Sequence, residues 1–339
     1  MTDFDDSRLD DPEALRAGDA VLRPLAEAGA RLRREAANAE PALAGLGNEG
    51  RPRAVIAVGP EARLLRAVLE PSCPVPFVAW SNLGLPGWVG PLDVVIVLGG
   101  SGIKPFDCVH EALRRGSRVI LTARPGTDLA NRAESRLTTL LPSTTTDPLC
   151  RAIAALMALH ALGLAPYVDP QAIADRMDAV AAECAHSRDI AANPAKMLAL
   201  ELADAQPLIW GGSVLAARAS RRIAEAVRSA SGRVALAADA SELVPLLAET
   251  RPRDLFSDPF EDQGSDRRPS LVIVEDGLGD AAADEERDLL EKRARLADVR
   301  VSRLEHAADS ELVRYATVLQ KGRFAAAYLG IAMGRPPGS

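Results

Sequence analysis

Two short runs of consecutive apolar residues organise the pattern of hydrophobic and polar positions along this chain. The first run, residues 94–98, is followed by a glycine-rich turn, and the second, residues 271–274, ends before Glu275-Asp276-Gly277. Unbroken apolar runs of this length are typical of parallel strands that are buried on both faces. Because a helical pattern follows each run, the chain predicts an α/β fold.

The other apolar segments alternate between strand and helix spacing. Strands are predicted at 54–58, 75–80, 94–98, 118–122 and 137–141, and again at 207–210, 233–237, 271–274 and 299–304. Helices are predicted between these strands, over 12–46 at the N-terminus, over 150–164, 170–184 and 194–203 in the middle, and over 312–333 at the C-terminus. The polar, proline-containing segment 251–268 predicts a mobile loop.

The two halves repeat one order of strand, glycine-bearing turn and helix, which indicates an internal duplication. We predict two three-layer α/β/α sandwiches with parallel sheets, joined by a helical connector. The predicted parts are a disordered tail (about residues 1–10) and helix over 1–49, a first sandwich over 50–150, the connector over 151–204, and a second sandwich with a C-terminal helix over 205–339. Ligands of such sheets bind beyond the carboxyl ends of the strands.

Composition and charge narrow the classes of partner. A net charge of −7 gives no electrostatic support for a nucleic-acid partner. No apolar run approaches the ~20 residues of a membrane span, and the acidic N-terminus lacks the apolar core of a signal peptide. Four dispersed cysteines without a Cys-x-x-Cys pair argue against a zinc ribbon or disulfide scaffold. We therefore expect a cytoplasmic protein without nucleic-acid or membrane partners.

The glycine-rich turn after the first central strand is a candidate phosphate site. Gly100 and Gly102 permit positive φ and a close approach of the backbone to an anion. Ser101 adds a hydroxyl donor, and Lys104 adds a positive charge at the start of the next helix, whose N-terminus favours anions. The alternative is a tight strand-to-helix turn without a ligand.

Four other residues lie at strand ends or at a helix start. Gly59 ends the first strand, and Gly212 with Ser213 forms the corresponding turn in the second half. That second turn suits a sugar better than a phosphate, because no basic residue follows until Arg218. Arg151 begins an apolar helix, where its charge opposes the helix dipole unless it meets an anion. A surface arginine is the alternative.

The remaining motifs argue against a cofactor or a metal. The dinucleotide fingerprint is absent from the first βα turn, no Walker A motif occurs, and the histidines lack the spacing of metal ligands. His306, which follows a strand of the second half, is the histidine expected near a cleft. Glu242 reads as the acidic first turn of a helix that starts near Ser241.

Taken together, these residues resemble the sugar isomerase (SIS) superfamily, and more narrowly the bifunctional phosphoglucose/phosphomannose isomerases. Asn193-Pro-Ala-Lys196 and the strand after it look like that family's connector and the first strand of its second domain. The turn 99–102 occupies the place of the family's Ser-x-Ser-Gly-Asn-Thr phosphate loop, and 319–334 looks like its C-terminal helix. The similarity spans roughly residues 50–334. The chain looks like a divergent, actinobacterial TobH-like member.

The resemblance implies a ligand and a reaction. The ligand is a hexose 6-phosphate, and the reaction is aldose–ketose isomerisation through an enediolate without a metal or cofactor. By the resemblance, Glu242 is the base and Arg151 stabilises the enediolate, while Ser101 and Lys104 hold the phosphate. It also implies a homodimer, to which the apolar C-terminal helix contributes.

The chain departs from the family pattern at several site positions. Glu61 stands in the first family loop, which contains serine, and a carboxylate beside a phosphate repels it. Ala240-Ser241 precede Glu242 in place of an Asn-His pair, 251–268 contains no histidine, and the family's terminal lysine is missing. The alternative function is therefore a non-catalytic SIS protein that senses a sugar phosphate or stabilises a partner enzyme in cell-envelope sugar metabolism. A purely structural dimer is a third possibility.

Overall fold

The computed structural model describes residues 4–48, 50–100, 102–250, 267–306 and 310–335. Ser101 and nearly all of the predicted loop at 251–268 lie outside the described residues. The chain divides into two compact units. The first-sheet unit is Gly29–Ala174, and the second-sheet unit is Met1–Ala28 together with Asp175–Ser339.

The N-terminal region is more ordered than its sequence indicated. A 3-10 helix, Asp6–Leu9, precedes α1 (Pro12–Ala17), α2 (Asp19–Ala26) and α3 (Ala28–Leu43), and a second 3-10 helix covers Leu46–Asn48. The prediction of disorder over residues 1–10 is wrong for Asp6–Leu9, because Leu9 is completely buried. The Arg8 Nε also donates to the Ile331 carbonyl at 2.9 Å. These contacts tie the N-terminal segment to the second-sheet unit.

The first-sheet unit contains five parallel strands among its described residues. Its elements are β1 (Val55–Val58), α4 (Ala62–Leu69), β2 (Phe77–Trp80), β3 (Val94–Val97), α5 (Ile103–Arg114), β4 (Arg118–Ala123), α6 (Asp128–Arg132), β5 (Thr138–Pro142) and α7 (Pro148–Ala161). The strand order is β2-β1-β3-β4-β5. In this order β1 and β3 are neighbours that feed crossovers in opposite directions, so a ligand crevice is expected beyond their carboxyl ends.

Alternation of side chains along the strands builds two helix layers around this sheet. Ile56, Val95 and Val97 form one core cluster with Cys108 of α5 and Leu129 of α6. On the other face α7 contacts β4 and α4. The sheet is therefore buried on both faces, as the unbroken apolar runs predicted.

The second-sheet unit repeats this arrangement. Its elements are α8 (Pro170–Glu183), a 3-10 helix (Ile190–Ala192), α9 (Pro194–Glu201), β6 (Ala205–Gly211), α10 (Val214–Ser231), β7 (Leu236–Ala237), α11 (Ala240–Glu249), β8 (Arg268–Glu275), α12 (Ala281–Leu296), β9 (Arg300–Glu305) and α13 (Glu311–Ala332). The parallel order β7-β6-β8-β9 matches β2-β1-β3-β4 of the first sheet. The prediction of two parallel α/β sandwiches is confirmed.

The helices around the second sheet also form two layers. Leu243 of α11 and Leu290 of α12 cluster with Leu208, Leu271 and Ile273 on one face. Helix α10 contacts β6 and β8, and α13 contacts α10 and β9. We find that α13 is almost wholly buried within the chain itself. The expectation that this helix contributes to a dimer interface is wrong, because its apolar side chains already have partners.

The predicted connector over 151–204 does not form a separate layer. Helix α7 packs on β4 and α4 of the first-sheet unit, and α9 packs on α13 of the second-sheet unit. The division between the units falls within α8, at Ala174 and Asp175. Among the described residues, no single helix is both long enough and apolar enough to cross a bilayer.

Candidate functional site

The turn after β3 contains three glycines whose backbone conformations would be strained for any other residue. Gly99, Gly100 and Gly102 have φ values of +65°, +120° and +82°. A Cβ atom at Gly99 would lie 2.9 Å from the Thr122 carbonyl oxygen and would collide with the Arg151 guanidinium. Gly102 is the N-cap of α5 and provides no side-chain cap. The first N–H groups of α5 therefore receive no side-chain cap from this residue. Uncapped N–H groups at a helix start are the donors that bind a phosphate.

The turn after β1 lies against the turn after β3. Gly59 has φ +122°, and a Cβ atom there would lie 2.9 Å from the Leu98 Cβ. Glu61, two residues later, is the N-cap of α4 and is only 3% exposed. A buried carboxylate therefore stands close in sequence to the turn that the resemblance assigns to phosphate, and its negative charge opposes an anionic ligand.

Arg151 is the positively charged side chain that packs against the turn after β3. It lies in the first turn of α7, is half-buried, and has a buried Nε without a hydrogen-bond partner in the described part of the chain. Burial lowers the pKa of Arg151, while the Glu35 and Asp147 carboxylates partly offset this effect. Two independently chosen candidates, Arg151 and the turn at Gly99, are thus brought together in one unit.

Lys104 lies at the start of α5, and its side chain is already engaged. It is exposed, and its Nζ donates to the Ser81 carbonyl at 3.0 Å, just beyond the end of β2. Two of its three ammonium donors remain for other partners. Its predicted role in phosphate binding stays a prediction, as does that of Ser101, which lies outside the described residues.

A cavity lies at the carboxyl ends of the second sheet. Its volume is about 260 Å³, slightly below the roughly 300–1,000 Å³ of common ligand pockets. Its lining residues come from the ends of β6, β8 and β9 and the start of α12: Trp210, Gly212, Ser213, Val274, Glu275, Asp276, Gly277, Gly279, Ala283, Asp284, Arg287, Glu305 and His306. The expectation that His306 lies near a cleft is confirmed.

The second-half turn that the sequence singled out forms one wall of this cavity. A Cβ atom at Gly212 would lie 2.8 Å from the Trp210 ring and 2.9 Å from the Ala283 Cβ, so the turn packs closely. The Ser213 hydroxyl donates to the buried Asp276 carboxylate and accepts from the Ala216 N–H at 2.9 Å. Ser213 caps α10, and its only proton is already used. The carboxylates here disfavour phosphate.

Two glutamates stand side by side at the edge of this cavity. Glu275 and Glu305 are register partners on the neighbouring parallel strands β8 and β9. Burial raises the pKa of Glu275, and the Glu305 carboxylate adds to the shift. Arg303, at 3.4 Å, and Arg287, at 3.6 Å, oppose it. Like charges on adjacent strands favour one protonated carboxyl in such a pair.

Stability should fall with rising pH because of Glu275. Its folded-state pKa is raised above the ordinary 4.5, so the folded chain binds this proton more tightly than the unfolded chain. As the pH rises from about 4.5 through the folded-state pKa, wild type should lose stability relative to Glu275→Gln. Urea unfolding at pH 4, 5, 6 and 7 measures the difference. Exposed Glu286 of α12 provides the control Glu286→Gln. The prediction would be contradicted if the stability of neither variant relative to wild type changed with pH.

Glu242, the base implied by the resemblance, lies in the first turn of α11. Its side chain is exposed, and its backbone N–H donates to the Asp239 carbonyl at 3.0 Å. This is the acidic helix start that its sequence context indicated. Glu242 belongs to the second-sheet unit, whereas Arg151 belongs to the first-sheet unit. Its assignment as a base stays a prediction.

The three buried cysteines offer no support for nucleophilic chemistry. Burial raises the pKa of Cys108 to about 11 and the pKa values of Cys150 and Cys184 to about 12. Thiols with such pKa values are protonated at neutral pH and react poorly. In the described residues, groups of three or more His, Cys, Asp or Glu side chains suited to a metal ion are absent.

Sequence reasoning missed the acidic residues that surround the two candidate sites. Glu35 and Asp147 lie near Arg151, and Asp276 binds Ser213. Asp147 could have been found, because Asp before Pro148 is a helix N-cap signal. Glu35 carried no signal, because it lies within an ordinary helical pattern and its burial depends on a distant part of the chain.

Comparison with known proteins identifies the fold. Residues 191–339 match the family model described as the bacterial phospho-glucose isomerase C-terminal SIS domain. The chain matches none of the curated protein sequences. A glucose-6-phosphate isomerase like protein from Thermus thermophilus has 18% identity and a TM-score of 0.57, with 97% of this chain and 95% of that chain covered.

Two further solved structures have the same fold. Tagatose-6-phosphate ketose/aldose isomerase from Escherichia coli has 14% identity and a TM-score of 0.61, over 96% of this chain and 94% of that one. The C-terminal domain of glucosamine-fructose-6-phosphate aminotransferase from Francisella tularensis has 11% identity and a TM-score of 0.63, over 93% and 96%. The chain therefore has the fold of these solved phosphosugar enzymes, and its residues 191–339 match the model of the bacterial phospho-glucose isomerase C-terminal SIS domain.

Proposed function

We propose that this chain binds a hexose 6-phosphate at the first sheet and catalyses aldose–ketose isomerisation of the phosphoglucose/phosphomannose isomerase type. The observation that carries the proposal is the half-buried Arg151 guanidinium against Gly99, in the turn beyond β3. A half-buried positive charge beside a glycine turn and a helix N-terminus is a favourable setting for an anion. The names of the similar structures, which are phosphosugar enzymes, support the choice of ligand.

The proposed reaction moves one proton within the open-chain sugar. A general base, a role for which the resemblance proposes Glu242, takes the proton from C2 of the aldose, the C1 carbonyl oxygen gains the electron pair, and an enediolate forms. The proton then returns to C1, while the C2 hydroxyl proton moves to the C1 oxygen and leaves the ketose carbonyl at C2. The Arg151 guanidinium stabilises the negative charge of the enediolate. Lys104, Ser101 and the N–H groups that follow Gly102 hold the phosphate.

Proton exchange with solvent tests the isomerase directly. Fructose 6-phosphate is incubated with the protein in deuterated water. Deuterium uptake at C1, the carbon that carries the transferred proton in the ketose, is followed by NMR. Wild type should exchange this proton, while Glu242→Gln should lower the rate by about 10²–10⁴-fold, the usual contribution of a general base. Exchange by wild type no faster than by Glu242→Gln would reject the isomerase proposal.

A second candidate is a non-catalytic protein that senses a sugar phosphate or stabilises a partner enzyme. It is favoured by the buried Glu61 carboxylate, which occupies a loop that contains serine in the family, and by the exposure of Glu242. A thermal shift with glucose 6-phosphate or mannose 6-phosphate, without proton exchange, would support this candidate. Absence of both effects would leave a purely structural role.

We also propose that the chain forms a homodimer, by the resemblance to dimeric SIS proteins. Because α13 is buried within the chain, another surface must form the contact. Sedimentation equilibrium of the full chain distinguishes a mass near 35.8 kDa from twice that value.

A further inference from the structure

Two carboxylates beside Arg151 come from outside the strands and turns of the candidate site. Glu35 lies on α3, and Asp147 is the N-cap of α7, the helix that carries Arg151. Both belong to the first-sheet unit. Glu35 is only 2% exposed, and the Asp147 side chain is 10% exposed. Buried carboxylates are rare unless they have partners, so the partners of these two carboxylates show what each one holds in place.

Glu35 is held rigidly by the segment that links β5 to α7. Its two carboxylate oxygens accept from the Thr144 backbone N–H at 3.1 and 3.0 Å, and Oε1 accepts from the Thr144 hydroxyl at 2.5 Å. Charge-assisted bonds of this kind are about twice as strong as neutral ones. Glu35 thus joins α3 to the chain just before the helix of Arg151.

Asp147 is held in a similar way. Its Oδ1 accepts from the Leu149 N–H at 3.0 Å, and its Oδ2 accepts from the Arg31 guanidinium at 2.9 Å. Arg31, like Glu35, lies on α3, so one turn of this helix contacts both the linking segment and the N-cap of α7. The first turn of α7, which includes Arg151, is therefore fixed at two points by α3.

The two carboxylates attract Arg151 without using its hydrogen-bond donors. Each carboxylate oxygen of Glu35 and Asp147 already accepts from another donor. Burial disfavours the charged guanidinium, and the same two carboxylates favour it. Attraction across a partly buried region is stronger than in water. The Arg151 donors can thus face an anion while the charge of Arg151 is retained.

We propose that Glu35 and Asp147 are positioning residues: by fixing the first turn of α7, they hold the Arg151 guanidinium against the turn at Gly99. The N-terminal helix α3 is thereby part of the anion site rather than a passive extension. This inference rests on the proposed sugar-phosphate site, because it assigns the function of Arg151 there. The effect of Glu35 on a ligand is transmitted through Arg151, so the two residues should be energetically coupled.

Calorimetric titration of the full chain with glucose 6-phosphate, in low-salt buffer, tests the positioning role. Glu35→Gln should weaken binding about 10-fold, while the control Glu40→Gln, an exposed glutamate on the same helix, should leave it unchanged. The Arg151 Nε–H signal, assigned in ¹H–¹⁵N NMR spectra by its loss in Arg151→Lys, should shift in Glu35→Gln but not in Glu40→Gln. A loss of global stability alone, without a change around Arg151, would not move this signal in the folded protein.

A double-mutant cycle separates the two proposals. In an Arg151→Lys background, Glu35→Gln should have little further effect on affinity, since the positioned group is gone. If Arg151→Lys binds glucose 6-phosphate like wild type, the proposed ligand site fails. If Arg151→Lys weakens binding but Glu35→Gln leaves both the affinity and the Nε–H signal unchanged, only the positioning role fails. Should Glu35→Gln not fold, Asp147→Asn, which retains an N-cap side chain, undergoes the same measurements with the same two outcomes.

Discussion

Replacing Asp10 with alanine should lower the free energy of unfolding of the second-sheet unit by about 3 kcal/mol, the lower end of the range for breaking a buried ion pair. Lys196 is completely buried, and its Nζ donates to Asp10 Oδ1 at 2.8 Å. It also donates to the carbonyls of His186, at 3.0 Å, and Arg188, at 2.9 Å. Without Asp10 the ammonium loses its countercharge. The lower end applies because the Asp10 side chain is 53% exposed, which lets water replace part of the interaction.

Urea unfolding followed by Trp210 fluorescence measures this change in the second-sheet unit alone. The background carries Trp80→Phe and Trp88→Phe, which removes the two tryptophans of the first-sheet unit. Asp6→Ala, an exposed aspartate of the neighbouring 3-10 helix, is the control and should change stability by less than about 0.5 kcal/mol. Overlapping unfolding curves for the two variants would contradict the prediction.

Lys196→Met supplies the second half of the test. It removes the charge from the interior but leaves two carbonyls without their donor, at about 1–3 kcal/mol each. The double variant Asp10→Ala with Lys196→Met should therefore be close in stability to Lys196→Met alone, because no buried charge remains. Simple addition of the two single effects would argue against an ion pair.

Replacing Gly99 with alanine should displace the Arg151 guanidinium and weaken glucose 6-phosphate binding at the proposed site about 10- to 100-fold. A hydrogen bond to a charged group contributes about 1.5–3 kcal/mol, and 1.4 kcal/mol is a factor of ten. An alanine Cβ would lie 2.9 Å from the Thr122 carbonyl, which is fixed in β4, and would overlap the Arg151 guanidinium. The arginine is the group that must move.

Gly126→Ala is the matched control for this prediction. Gly126 has φ +78°, close to the +65° of Gly99, but a Cβ there meets nothing within 4 Å. Both variants should lose about 1–2 kcal/mol of stability from the left-handed conformation, but only Gly99→Ala should lose affinity in calorimetric titration. Equal affinities for the two variants would exclude Arg151 from the ligand site.

The fold was readable from the sequence because its signals are local. The apolar runs at β3 and β8 and the glycines after them identify parallel strands and their ends without further context. The repeated order of elements predicted the second sheet from the first. Element boundaries, by contrast, shifted by a few residues, since capping and packing decide where a helix begins. The three helices within 12–46 illustrate this, because Gly18 and Glu27 interrupt a single helical pattern.

The candidate sites divide in the same way. Gly59, Gly100, Gly102 and Arg151 could be selected as candidates because each is unusual in its local context: a glycine at a strand end or a cation at a helix start. The partners of these residues could not be predicted from neighbouring positions in the sequence. Glu35 is more than a hundred residues from Thr144, and its burial was invisible in a plain helical pattern.

The sequence by itself determined the two parallel α/β sandwiches, their order of strands and helices, and the turns where ligands are expected. Only the tertiary structure decided that Arg151 packs on Gly99 and that the Ser213 hydroxyl donates to the Asp276 carboxylate. It also decided that Lys196 of the Asn-Pro-Ala-Lys motif is buried and paired with Asp10. The physical reason is that strand and helix patterns follow from the spacing of neighbouring residues. The charge, burial and hydrogen-bond partners of a side chain depend on residues that are distant in the chain.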